Sequence, residues 1–76
     1  MRFVIPQRTW RHRAVRLLRI QTLAEETFGS KEKADLWLQR TLAELGGETP
    51  LVVARTETGA RVIETILGKI AWGAAA

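Results

Sequence analysis

The sequence lacks cysteine and tyrosine altogether, and it contains a single histidine, His12. Without cysteine the chain forms no disulfide and offers none of the thiolates typical of structural zinc sites. Candidates for catalysis are also few, because Glu25 and Glu26 are neighbours on a predicted helix and their side chains diverge. We therefore expect a protein that is not an enzyme and that uses no metal, cofactor or small-molecule substrate.

Long hydrophobic runs are absent as well. No segment approaches the roughly 18 uninterrupted apolar residues that a membrane-spanning helix needs. Arginines interrupt the N-terminal segment, which therefore has no signal-peptide core. Together with the absence of cysteine, which fits a reducing compartment, this predicts a cytoplasmic protein without membrane contact.

The chain is short, at 76 residues, and forms one domain at most. A domain of this size buries only about 60% of the surface that its unfolded chain exposes. Small domains are commonly stabilised by disulfides, metal ions or oligomerisation, and of these only oligomerisation remains open here.

The basic residues are concentrated near the N-terminus. Residues 1–20 hold six arginines and no acid, whereas residues 21–76 hold six basic and all eight acidic residues, a net charge of −2. One interpretation is a solvated helix face, and the alternative is a nucleic-acid-binding segment. The candidate arginines for nucleic acid are Arg8, Arg11, Arg13, Arg16 and Arg19. Six phosphate contacts would give binding to duplex DNA a log–log salt slope of about −5.

Hydrophobic periodicity predicts an all-α fold, a small bundle of about four helices. The first, long helix should run from Thr9 to Phe28 and end at Gly29. Its predicted buried stripe consists of Trp10, Ala14, Leu17, Leu18, Ala24 and Phe28. Ser30 is the predicted N-cap of the second helix. The buried residues of that helix should be Ala34, Trp37, Leu38 and Leu42.

Glycines and threonines predict where the remaining helices begin and end. Any continuation of the second helix past Arg40 should end at Gly46-Gly47. Thr49 followed by Pro50 predicts the N-cap and first residue of a short third helix. Thr56 should cap the C-terminal helix, which is predicted to span Glu57–Trp72 and to end at Gly73. Its apolar face should comprise Val62, Ile63, Ile66, Leu67 and Ile70.

Two tryptophans differ in what their positions indicate. Trp37 falls within an apolar stripe and is predicted to be core. Trp72 stands near the end of the last helix, before a glycine and three alanines, where it is suited to filling a pocket of a partner. The alternative is that Trp72 folds back onto its own helix end, since tryptophan is enriched in both cores and interfaces.

Four segments carry a pattern that other proteins share. Residues 28–38 are FGSKEKADLWL, residues 45–51 are LGGETPL, residues 56–62 are TETGARV, and residues 67–73 are LGKIAWG. In this order they resemble the toxin-binding domain of the Xre/MbcA/ParS antitoxins. The resemblance covers roughly residues 22–76.

The resemblance implies an antitoxin-like function. Its partner would be a RES-domain toxin, which consumes NAD or transfers ADP-ribose from it, and whose active-site entrance the C-terminal region of the antitoxin covers. It also implies a homodimer. Carried onto this chain, the implied partner-binding residues are Arg61, Lys69, Ile70, Trp72, Gly73, Ala74, Ala75 and Ala76.

The chain departs from the family pattern at several points. Thr41 stands where the family usually has proline, and Lys69 replaces a frequent arginine, which differs from lysine in bidentate hydrogen bonding. Xre-type members also carry an upstream helix-turn-helix domain, for which this sequence leaves no room, so we do not expect autorepression through one. The expected division is a basic segment with the start of the first helix at residues 1–21, and the toxin-binding domain at residues 22–76.

Overall fold

The structure is a computed structural model that describes the backbone of residues 7–75 and the side chains of residues 13–73. Its elements are α1 (Gln7–Phe28), α2 (Lys31–Leu38), a 3-10 turn (Ala43–Leu45), α3 (Pro50–Val53) and α4 (Glu57–Ala75). Apart from one isolated bridge between Leu42 and Glu48, residues 7–75 contain no β-structure. The predicted all-α fold is confirmed, and α1 begins two residues before the predicted start.

The junction between α1 and α2 follows the sequence prediction. Gly29 adopts a left-handed conformation with φ of 75°, and its N–H donates to the carbonyl oxygen of Glu25 at 2.8 Å. Ser30 caps α2, because its hydroxyl accepts a hydrogen bond from the backbone N–H of Lys33 at 3.0 Å. Both bonds are local, so the chain ends one helix and starts the next within two residues.

Residues 39–49 form a compact loop in place of a longer second helix. Because α2 ends at Leu38, nothing helical continues directly past Arg40. The N–H of Leu42 donates to the carbonyl oxygen of Glu48 at 3.1 Å, which closes the loop, and Leu42 is half-buried there instead of on α2. Gly46-Gly47 makes the turn with φ of 68° and 85°, values that favour glycine.

Both predicted threonine caps are confirmed. Thr49 accepts a backbone N–H of α3 at 3.2 Å, and Pro50 is the first residue of that helix. Thr56 accepts the N–H of Gly59 at 2.9 Å. Gly59 is buried, and α4 starts so close to the end of α3 that a methyl group on Gly59 would overlap the carbonyl oxygen of Val53. Glycine is therefore required at this helix junction.

The core lies where the four helices meet. Its fully buried hydrophobic residues are Ile20, Ala24, Ala34, Leu38, Ala54, Ala60, Ile63 and Leu67. Half of them are alanines, so the helix backbones approach closely. Trp37, predicted to be core, is half-buried and packs on Phe28 with ring centroids 5.6 Å apart.

The predicted buried stripe of α1 is partly wrong. Three of its six residues do face the core, namely Leu17, Ala24 and Phe28. However, Leu18 is 66% exposed and Ala14 is also exposed, while the side chain of Trp10 lies outside the described residues. Ile20 is completely buried although it was not predicted to be. Because α1 carries apolar residues on two faces, periodicity alone did not distinguish the core face.

The prediction for α4 needs two corrections. The helix continues to Ala75, so Gly73 does not end it. Glycine inside a helix costs only about 1 kcal/mol relative to alanine, and alanines follow it here. Val62 is 43% exposed instead of buried. The other four predicted residues are fully or half-buried, namely Ile63, Ile66, Leu67 and Ile70.

Candidate functional site

One face of α4 presents a row of exposed side chains. Arg61, Thr65, Lys69 and Trp72 follow at steps of four, four and three residues and therefore share one side of the helix. All four are exposed, and Trp72 reaches 79%. Arg61 also lies near Glu57 one turn earlier, with 3.5 Å between Nε and Oε2. We call these four residues the α4 row.

The α4 row brings together part of the predicted partner-binding set. Three predicted residues belong to it, namely Arg61, Lys69 and Trp72. Gly73 is exposed next to the row's tryptophan, whereas Ile70 is half-buried on the side of α4 that faces the domain. The backbones of Ala74 and Ala75 belong to α4, but their side chains and the whole of Ala76 lie outside the described residues.

The exposure of Trp72 decides between its two interpretations. A tryptophan folded back onto its helix end would be largely buried, yet Trp72 is 79% exposed. Thr65 and Val62 lie on the same side of α4 and were overlooked in the sequence. Residues 62, 65, 69 and 72 follow at steps of three, four and three, and this helical spacing could have identified the exposed face of α4 from the sequence. The face offers a protein partner a large aromatic surface beside a lysine.

Two arginines of α1 form ion pairs with acidic residues of α4. Arg16 donates from Nε to Oε1 of Glu57 at 3.1 Å and from Nη1 to the carbonyl oxygen of Arg55 at 2.7 Å. Arg19 donates to Glu64 and, from Nη2, to Oε2 of Glu57 at 3.3 Å. We call Arg16, Arg19, Glu57 and Glu64 the ion-pair cluster. It joins the middle of α1 to the N-terminal half of α4.

The ion-pair cluster changes the acidity of its members. The hydrogen bond from Arg16 lowers the pKa of Glu57 below its ordinary value of 4.5, and the charge of Arg19 acts in the same direction. The hydrogen bond to Glu64 raises the pKa of Arg19 above its ordinary value. Glu57 and Arg19 are therefore both ionised at neutral pH, and each stabilises the charge of the other.

Replacing Glu57 by glutamine is expected to destabilise the domain at neutral pH and to have little effect in acid. The pKa of Glu57 is lower in the folded than in the unfolded chain, so its ionised form stabilises the fold above pH 4.5. That stabilisation is lost as the pH falls from 4.5 through the lower folded pKa. Urea unfolding of both proteins from about pH 3 to pH 7 measures the difference.

Glu32 provides a matched control for this prediction. Both Glu32 and Glu57 lie in the first turn of a helix, so both interact favourably with the helix dipole. Among the described residues, ion pairs form at Glu57 but not at Glu32. Glu32→Gln should therefore lose less stability at neutral pH than Glu57→Gln, because it removes none of these ion pairs. Equal pH dependence in the two variants would contradict the role of the ion-pair cluster.

The ion-pair cluster also bears on the arginines considered for nucleic acid. The side chain of Arg16 is only 15% exposed, and that of Arg19 is paired with two carboxylates. Arg13 is exposed, and the side chains of Arg8 and Arg11 lie outside the described residues. The sequence suggested one basic surface because the two acids that neutralise part of it lie about 40 residues later in the chain.

Metal-binding clusters and membrane-spanning helices are both absent from the described residues. Within residues 13–73, no three side chains of histidine, cysteine, aspartate or glutamate come together to hold a metal ion. None of the helices described is long and apolar enough to cross a membrane.

The family comparison identifies what kind of domain carries the α4 row. The antitoxin Xre/MbcA/ParS C-terminal toxin-binding domain matches residues 23–73. The chain belongs to this family. No curated protein and no solved structure matches it significantly. The range that defines the antitoxin domain begins within α1 and contains the whole of the α4 row. Membership implies a toxin protein as its partner.

Several residues of the shared segments in this antitoxin domain have structural roles. Gly29 and Ser30 end one helix and cap the next. Thr56 caps α4, and Gly59 permits its contact with α3. By contrast, Lys69 and Trp72 are exposed and make no comparable contribution to the fold. The exposed residues of the last segment are therefore accessible from solution.

Proposed function

We propose that this antitoxin domain neutralises a RES-domain toxin by covering its active-site entrance with the α4 row and the residues that follow it. The proposal rests chiefly on the 79% exposure of Trp72 at the end of α4, beside Lys69 on the same face. Exposed tryptophans are costly to leave in water and are strongly enriched among the residues that dominate protein interfaces.

The chemistry of the α4 row suits an NAD-binding pocket. Such a pocket accepts a ligand that is both aromatic and anionic, so it offers a stacking surface and positive charge. Trp72 would compete for the stacking surface, whereas Arg61 and Lys69, which are cations, would stay outside this positively charged pocket and contact the toxin surface around its entrance. Ile70 is half-buried, and its exposed part would contribute to the same interface.

The proposed action needs no catalysis by the domain itself. The domain would act in the cytoplasm as a homodimer, and its binding alone would suppress the toxin. Residues 22–76 would carry the toxin-binding function, and residues 1–21 would form the basic segment that starts α1. The short chain and its small core, half of which is alanine, support oligomerisation as a source of stability.

Co-expression with a RES-domain protein encoded beside this gene tests the proposal. The expected result is a stable complex on size-exclusion chromatography and suppressed NAD consumption. Deleting Trp72–Ala76 should abolish both, because the exposed tryptophan and the end of α4 are removed while the core residues Ile63 and Leu67 remain.

Circular dichroism of the shortened chain separates lost binding from lost folding. Retained helix content together with unsuppressed NAD consumption supports the proposal. A complex that forms equally well without residues 72–76 would contradict it, and so would a full-length chain that neither binds the toxin nor spares NAD.

A further inference from the structure

α1 carries a second apolar face on the side opposite to the core. Val15, Leu18 and Thr22 follow at steps of three and four residues, and the first two are 59% and 66% exposed. Ile20 and Ala24, on the other side of the same helix, are completely buried. Apolar residues at this spacing are typical of a seam between two helices.

This face forms part of an open groove of about 670 Å³. Val15, Leu18, Thr22 and Leu23 line the groove, together with Glu26 and the ion pair of Arg19 with Glu64. An apolar centre with polar residues around it is the usual composition of a protein–protein interface. None of the residues of the α4 row lines the groove, so the two surfaces are separate.

The charges along α1 indicate what occupies the groove. From Gln7 to Arg19 the only charged residues besides His12 are arginines, whereas from Ile20 to Phe28 they are Glu25 and Glu26. Arg16 and Arg19 already pair with acids of the same chain, so the arginines that a second, antiparallel α1 brings beside Glu25 and Glu26 are those within residues 8–13. A parallel pair would place like charges together, at a cost in free energy.

Antiparallel pairing also corrects an unfavourable feature of the isolated helix. α1 has no acidic residue in its first turn and no basic residue in its last turn. Its arginines therefore lie toward the positive end of the helix dipole and its glutamates toward the negative end. Opposite charges supplied by a second copy would offset both.

We propose that two copies of this chain pair through antiparallel α1 helices, with Leu18 at the two-fold axis and Val15 of each copy beside Thr22 of the other. This inference rests on the homodimer of the proposed function and adds its surface and orientation. The arrangement leaves the α4 row of each copy free, so one dimer presents two toxin-binding faces.

Sedimentation analysis of Leu18→Glu tests the surface. The dissociation constant of the dimer should rise at least about 100-fold, because two carboxylates would meet at the axis. Leu36→Glu is the matched control, since Leu36 is 74% exposed but lies on α2, away from the groove. A monomeric wild-type chain would overturn the proposal, as would a dimer broken by the control variant and not by Leu18→Glu.

Cysteine cross-linking tests the orientation and does not depend on a charged substitution. The natural chain has no cysteine, so a single introduced one reports unambiguously. A mixture of Val15→Cys and Thr22→Cys chains should form the mixed disulfide on oxidation. Val15→Cys alone should not cross-link, because residues offset by seven positions lie about 10 Å apart along the helix, beyond disulfide reach. Efficient cross-linking of Val15→Cys alone would overturn the antiparallel arrangement.

Toxin binding, measured separately, distinguishes this inference from the proposed function. A monomeric wild-type chain that still suppresses NAD consumption would overturn the α1 pairing and leave the α4 proposal standing. A dimer with the expected cross-links that does not bind the toxin would overturn the α4 proposal and support the pairing.

Discussion

Replacing Gly59 by alanine is expected to destabilise the domain by about 3 kcal/mol, the upper part of the range for overpacked sites. The added methyl group would overlap the carbonyl oxygen of Val53 and lie 2.8 Å from the carbonyl carbon. Both atoms belong to the backbone, so no side-chain rotation relieves the clash and α3 must move away from α4. For a domain of this size, the melting temperature should fall by about 12–24 °C.

Gly68→Ala is the matched control for this prediction. Gly68 lies in the interior of the same helix, but a methyl group there would meet no atom within 4 Å. Alanine is favoured over glycine in a helix by about 1 kcal/mol, so this variant should melt about 4–8 °C higher than the wild type. Thermal unfolding followed by circular dichroism measures both changes. A Gly59→Ala variant as stable as the wild type would contradict the close packing of α3 against α4.

Under the proposed function, replacing Trp72 by alanine is expected to weaken binding to a RES-domain toxin at least about 30-fold, the effect of losing a central interface residue worth about 2 kcal/mol. The stability of the free domain should change little, because Trp72 is 79% exposed and its side chain packs on no core residue. Isothermal titration calorimetry against the purified toxin, with circular dichroism of the free variant, measures both quantities.

Leu36→Ala is the corresponding control for binding. Leu36 is nearly as exposed as Trp72, at 74%, but it lies on α2 and outside the α4 row. Its removal should leave the affinity for the toxin unchanged. If Leu36→Ala weakened binding and Trp72→Ala did not, the toxin-binding face would lie on α2 and the proposed use of α4 would be wrong.

The helix boundaries that the sequence predicted correctly depend on local chemistry. Gly29, Ser30, Thr49 and Thr56 each act within three or four residues of their own position, through a hydrogen bond to a nearby backbone group or a left-handed φ. Such interactions are visible in a short stretch of sequence. The boundary at Gly73 was wrong because a glycine does not end a helix unless the following residues also leave it.

The parts that the sequence did not reveal depend on contacts between distant residues. Leu18 and Ile20 have similar hydrophobicity and stand two positions apart, yet only Ile20 is buried in the core. Likewise, Arg16 and Glu57 are separated by 41 residues, and nothing local to either indicates their pairing. On α4, Trp72 was identified by its type and position, whereas the exposure of Val62 became apparent only once the helix was placed against the core.

The complete burial of Ile20 has a consequence for how the domain is delimited. The range matched by the family model starts at residue 23. Ile20, three positions earlier, is a fully buried core residue and lies outside that range. A fragment cut at residue 23 would leave a void in the core at the place of Ile20 and would remove Arg16 and Arg19 from the ion-pair cluster. The range matched by the family model is thus shorter than the part of the chain that builds the core. Transplanting the toxin-binding function onto another protein would require carrying α1 over from Arg16 or earlier.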